Sequence, residues 1–171
     1  STVAWRLQYL PMGNKPPDAI RPALAKGRFY YCNSGHFGSG SQLFYLYTNG
    51  STDVAGMAGR PLLEGVKGAP TEHENPRLAA SPDGKWIYML NSGDSKCPVL
   101  WRLTADGSEH AEPFLGKLGN PGSGNESFNG PSDLGCDAQG RIYVCDSANS
   151  RLQVFSPEGK FLHTQKMERP F

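Results

Sequence analysis

One strand-and-turn pattern is written three times along this chain. The last copy, residues 131–159, reads PSDLGCDAQGRIYVCDSANSRLQVFSPEG. The second, residues 76–107, reads PRLAASPDGKWIYMLNSGDSKCPVLWRLTADG, and the first, residues 20–50, reads IRPALAKGRFYYCNSGHFGSGSQLFYLYTNG. In each, short runs rich in Val, Ile, Leu, Tyr and Phe are stopped by Gly, Asp, Asn and Pro clusters, and every run is too short for a helix. Aligned on the first turn, Gly27, Gly84 and Gly140 superpose with a period of 56–57 residues. With one extra residue after Gly84 allowed for, Cys32, Leu90 and Cys145 then fall together, followed by Asn33, Asn91 and Asp146, and by Ser34, Ser92 and Ser147. Agreement in period, strand chemistry and turn chemistry marks internal repetition.

A repeated meander of four antiparallel strands is the unit of a β-propeller. The expectation is therefore an all-β chain of three four-stranded antiparallel blades, at about residues 18–64, 75–118 and 129–166. Residues 1–10 are expected as a strand completing a neighbouring blade. A β-sandwich offers no reason for turn residues to recur at this period. Within a blade, the hairpin turns joining strands one to two and three to four lie at one end, and here they are tight. The connections at the other end are long and varied, and long loops on a rigid scaffold are where binding concentrates.

Composition narrows the reading further. At 171 residues the chain is long enough for one full core. Gly (21) and Pro (14) are abundant, yet 37% of residues are hydrophobic, which fits a turn-dense globule and not a disordered chain. A net charge of +1 with no basic block argues against a nucleic-acid partner. No apolar run approaches the length of a membrane helix, and the first five residues lack the form of a signal peptide. The compartment stays open, with a secreted or periplasmic setting slightly favoured; a leader already removed would leave no trace in the sequence. Cys32, Cys97, Cys136 and Cys145 show no CxxC spacing and read as free structural thiols. A bridge between Cys136 and Cys145 within one hairpin depends on its register.

The long connections hold the candidate chemistry. Between blades they supply Asp18, Glu72, His73, Glu74, Asn75, Asn125 and Glu126; between second and third strands they supply Asn33, His36, Asn91, Asp94, Lys96, Asp146, Asn149 and Arg151. Glu72-His73-Glu74 is the densest titratable cluster and, with Asn91 and Asp94, offers oxygen donors for a hard divalent cation. Carboxylates in a solvated loop are also ordinary. His36 beside Phe37 reads as a ligand, a base or a plain surface histidine. Asn33, Asn91 and Asp146 recur at one blade position, which points to a structural task such as capping the backbone of the next turn. No GxSxG, HExxH, P-loop or EF-hand pattern occurs. Asn49-Gly50-Ser51 and Asn125-Glu126-Ser127 are glycosylation sequons, of which about one or two are expected by chance.

The third repeat resembles the NHL-repeat family. Pro131, Leu134, Asp137, Gly140, Ile142, Tyr143, Val144, Asp146, Asn149, Ser150, Arg151, Gln153, Val154, Phe155 and Gly159 carry the likeness. Ser81-Pro82-Asp83-Gly84-Lys85 and Leu100-Trp101-Arg102-Leu103 look like the SMP-30/gluconolactonase-like propellers. The resemblance implies a six-bladed ring of which this chain is half, completed by a second copy, a second chain or the rest of a cleaved polypeptide. It gives Arg151 a blade-stabilising role. The lactonase-like metal positions fall by turn alignment on Pro76 and Ser132, with Asn75 and Asp133 one residue away. The histidine used by NHL-fold amidating lyases is replaced here by Arg77 and Ser132. Neither set is reproduced. The function expected is a scaffold that binds a small molecule or protein through its long-loop face. The alternative is a metal-dependent hydrolase or lyase using Ca or Zn, with Glu72, His73, Glu74, Asn75, Asp94 and Asp133 as candidate ligands.

Overall fold

Three hairpin turns share one local design. Ser81, Asp137 and Ser156 each open a turn whose fourth residue, Gly84, Gly140 or Gly159, donates its N–H to the opening carbonyl at 2.9 Å. The side-chain oxygen of the opening residue accepts a further backbone N–H: from Trp86 at 2.9 Å, Arg141 at 2.8 Å and Lys160 at 3.3 Å. The closing glycines have φ of 67°, 82° and 86°, the left-handed region that a side chain strains. Ser-Pro-Asp-Gly, Asp-Ala-Gln-Gly and Ser-Pro-Glu-Gly are thus one turn in three spellings.

These turns join strands into antiparallel meanders. The computed structural model describes residues 23–25, 28–33, 42–47, 76–91, 99–105 and 111–168. Strands β1 (Ala23–Ala25), β2 (Arg28–Asn33) and β3 (Gln42–Tyr47) form a three-stranded sheet in sequence order. Strands β4 (Pro76–Ala80), β5 (Trp86–Asn91), β6 (Val99–Thr104) and β7 (Glu112–Gly116) form the second sheet. Strands β8 (Pro131–Cys136), β9 (Ile142–Asp146), β10 (Arg151–Phe155) and β11 (Phe161–Lys166) form the third. The first strands of successive sheets lie beside one another, β1 against β4 and β4 against β8. The strand expected within residues 1–10 lies outside the described residues.

Register refines the repeat. Asn91 pairs with Pro76 and Asp146 with Pro131, so the two prolines are equivalent. Alignment on the turns had matched Pro76 with Ser132; a register shift between Pro131 and Asp133 adds one residue to β8 and accounts for the difference. Cys136 lies opposite Ile142, and Cys145 lies three residues further along β9, opposite Asp133. Three strand residues span roughly 10 Å, beyond the reach of a disulfide. Both thiols are free.

The core lies between the second and third sheets. Tyr88, Leu90, Leu100 and Leu115 face Ile142, Val144 and Phe155, and all seven are at most 5% exposed. Phe128, from the connection between the sheets, joins them at 0% exposure and meets Phe155 edge-on at 5.9 Å. Ile87, Met89, Val99, Trp101 and Leu103, which alternate with the first set, are buried as well, so the middle sheet is covered on both faces. At the edge of this core the Arg102 guanidinium sits 4.3 Å from the ring centres of both Trp86 and Phe114 and pairs with Glu112.

Gly159 also serves packing. A Cβ there would stand 3.1 Å from Phe114 Cζ and 3.3 Å from Leu115 Cδ2, so the turn of one blade closes against the sheet of the other. Gly159→Ala is expected to lower the unfolding free energy by roughly 1–2 kcal/mol from backbone strain alone, with more from the contact. Gly135→Ala, where nothing lies within 4 Å, is the control. Equal urea midpoints for the two variants would refute this account.

Burial gives the fold an alkaline limit. Desolvation pushes the Tyr88 phenol from 10.0 up to about 12 and the Cys136 thiol up to about 11. Both folded values lie above the unfolded ones, so the neutral forms are favoured in the fold. The stability linked to Tyr88 is complete below pH 10 and is lost as pH rises toward 12. That loss is about 2–3 kcal/mol. Tyr88→Phe should flatten the stability curve between pH 10 and 12, leaving the comparable contribution of Cys136, which is lost between pH 9 and 11. An unchanged slope would remove Tyr88 from the account.

Candidate functional site

The two ends of the sheets differ. At one end the tight turns gather: a Cβ on Gly140 would meet Pro157 Cγ at 3.0 Å and Pro82 Cδ at 3.9 Å. At the other end the 117–130 connection meets the short 3₁₀ turn Ser147–Asn149. There Ala148 N–H donates to the Asn129 carbonyl at 3.1 Å, and the hydroxyls of Ser132 and Ser147 are hydrogen-bonded.

A buried polar network fastens this end. Asp146, 0% exposed, accepts from Asn129 N–H at 2.7 Å, Asn149 Nδ2 at 2.8 Å and Arg151 Nε at 2.7 Å, with Gln153 Nε2 at 3.4 Å. Arg151 spends its other donors on the connection: Nη1 on the Ser123 carbonyl at 2.7 Å, and Nη2 on those of Gly124 and Ser127, each at 2.9 Å. Asn149 holds the Gly122 carbonyl at 2.9 Å, and Gln153 holds Ser127 O at 2.7 Å. Asp146 and Arg151 face each other across β9 and β10, so strand pairing presets their contact. A buried ion pair is tolerated when its remaining donors and acceptors are satisfied, as they are here.

The result is a polar loop held rigidly from below. Asn125 and Glu126 stand exposed at its apex, and Glu126 adopts a left-handed φ of 65°. Its N–H donates to Gln153 Oε1 at 3.3 Å, which ties the strained residue to the same network. Strained non-glycine residues persist where their surroundings over-determine them. No pattern in the sequence marks this conformation.

The other candidates are placed as follows. Asp133 is half-buried on β8 beside Cys145, and its Oδ1 accepts from Leu134 N–H at 2.9 Å. Burial first, then the Asp133 charge, push the Cys145 thiol up. Asn33 and Asn91 end β2 and β5, as Asp146 ends β9. His36, Glu72, His73, Glu74, Asn75 and Asp94 lie outside the described residues. Among the described residues no three His, Cys, Asp or Glu side chains converge as a metal site, and no helix is long and apolar enough to cross a membrane.

The Phe128 plug and the Asp146–Arg151–Gln153 network lie within residues 128–155, the segment matched by the family model described as the NHL repeat. The chain carries an NHL repeat. It is 29% identical over 110 residues to NHL repeat-containing protein 3 of Mus musculus, covering 64% of this chain and 30% of that protein. The Homo sapiens protein of the same name is 28% identical over 106 residues, covering 62% and 29%. Among solved structures, a calcium-binding protein, regucalcin, from Agrobacterium tumefaciens matches with a TM-score of 0.50 at 18% identity. The match covers 82% of this chain and 42% of regucalcin. A luciferin-regenerating enzyme matches at 0.52 and 16% identity, covering 88% and 46%. At these identities the structures speak for the fold alone: the two four-stranded antiparallel sheets resemble the blades of propeller proteins. The chain spans about 30% of the length of the curated relatives it matches.

Proposed function

We propose that this chain is part of an NHL-type β-propeller that binds a small molecule or protein partner on its long-loop end. The observation that supports the reading is the buried network under residues 122–129. It spends Asp146, Asn149, Arg151 and Gln153 on fixing one loop while Asn125 and Glu126 stay exposed above it. A rigid frame under exposed polar groups reduces the ordering cost of binding. Further blades complete the ring, packing on the side of the third sheet that bears Tyr143, Cys145 and Leu152. By register these correspond to Tyr88, Leu90 and Leu100 of the second sheet, which the third sheet covers, yet they are only half-buried.

Two measurements test this. Light scattering with intact-mass analysis of the native particle should find further blades, in a longer polypeptide, a second copy or a second chain; a monodisperse 18.6 kDa monomer would overturn ring completion. A photo-reactive residue at Glu126 should capture a partner from native extract that the same residue at Gln139, on the tight-turn end, does not. Identical capture from both ends would overturn the choice of face.

A further inference from the structure

We infer that Asn125 is an acceptor for N-linked glycan. Sequence supplies the tripeptide Asn125-Glu126-Ser127, with no proline to block it. An oligosaccharide carried on a polyisoprenyl diphosphate supplies the sugar. The anomeric C–O bond to the diphosphate breaks, the C–N bond to the Asn125 side-chain nitrogen forms, the lipid diphosphate leaves and the amide gives up one proton, while the Ser127 hydroxyl two residues on takes part in recognition. Both groups are unengaged: no described residue hydrogen-bonds the Asn125 side chain or the Ser127 hydroxyl, and Asn125 is exposed. This contrasts with Asn149, whose amide is spent on Gly122 O and Asp146.

The surroundings favour the modification and its timing. A glycan on Asn125, exposed at the loop apex, displaces no described residue. Gly122 and Gly124 precede the tripeptide, so the unfolded segment bends readily into an enzyme's cleft. Once folded, the segment is fixed through the Ser123, Gly124 and Ser127 carbonyls by Arg151, which lies downstream in the chain. Attachment therefore precedes closure of the third blade. The free thiols are compatible with an oxidising compartment: Cys136 and Cys145 are out of register for each other, and their raised pKa values keep the reactive thiolate scarce.

The test is peptide mapping of the protein from its native source, with and without peptide N-glycosidase in heavy-oxygen water. The expected result is that the Asn125 peptide is recovered after the enzyme as heavy-labelled aspartate, and that the intact mass falls by one glycan for each asparagine so labelled. Recovery of the Asn125 peptide unmodified without enzyme would overturn the inference, whether or not Asn49 is modified. Asn125→Gln, secreted from the same cells, should lose the mass increment and keep the wild-type urea midpoint. This experiment is independent of partner binding, so its failure and that of the proposed function are distinguishable.

Discussion

Arg151→Met is expected to cost the full chain about 3–5 kcal/mol, the range for removing one partner of a buried ion pair. The arginine is 9% exposed and Asp146 is 0% exposed, so the stranded carboxylate has no route to water. The same substitution orphans the carbonyls of Ser123, Gly124 and Ser127, although Ser127 O keeps Gln153. Arg151→Lys separates charge from geometry. It retains the cation but not the planar fork that reaches Asp146 and three carbonyls together, so an intermediate loss is expected. Asp146→Asn combined with Arg151→Met removes both charges and should be less damaging than the sum of the single variants. The measurement is a double-mutant cycle from urea unfolding. A single-variant loss below about 1 kcal/mol, the range of exposed pairs, would show that the network does not fasten the loop.

Much of this architecture is legible in the residues because the turns are chemically explicit. Gly84, Gly140 and Gly159 close their turns at positive φ where Asp, Ser and Pro clusters place them. The repeated Asn/Asp position also shows in the spacing, since Asn91 and Asp146 both sit opposite a proline that begins a sheet. What sequence hides is what distance creates. Residues 116–130 read as a polar, glycine-rich connection, and nothing local tells Phe128 from an ordinary loop aromatic. Its burial comes from two sheets meeting over it. The extra residue in β8 is likewise a matter of pairing, and it moves Ser132 off the position that turn alignment assigns. Gln153 alternates in strand register like any partly solvated residue, yet it is fully buried because the connection folds over it. Of the candidate ligand-face residues, the Glu72–Asn75 cluster lies outside the described residues. Among the described candidates, Asp146, Asn149 and Arg151 form a supporting layer and Asn125 and Glu126 an exposed one, while Asp133 lies on β8 outside both.

Phe128→Ala should be as damaging as the loss of Arg151, by a different mechanism. The ring is 0% exposed, packs edge-on to Phe155 at 5.9 Å, and sits in the core that joins the second and third sheets. Truncating a buried phenylalanine removes its transfer free energy and leaves a cavity, together about 3–5 kcal/mol. Total domain stabilities are about 5–15 kcal/mol, so this loss is a large share. The effect reaches the loop as well as the core. Phe128 O accepts from Gly122 N–H at 3.0 Å, so the ring anchors the backbone that closes the loop between residues 122 and 128. Phe128→Leu refills most of the cavity and should recover much of the stability. Phe128→Ala should also speed proteolytic cleavage within residues 117–127 more than Phe161→Ala does, because Phe161 is half-buried and lies on the outer strand. Equal protease sensitivity in the two alanine variants, or a stability loss below about 1 kcal/mol for Phe128→Ala, would mean that the connection merely lies on the sheets. An enlarged difference would place its anchor at this ring.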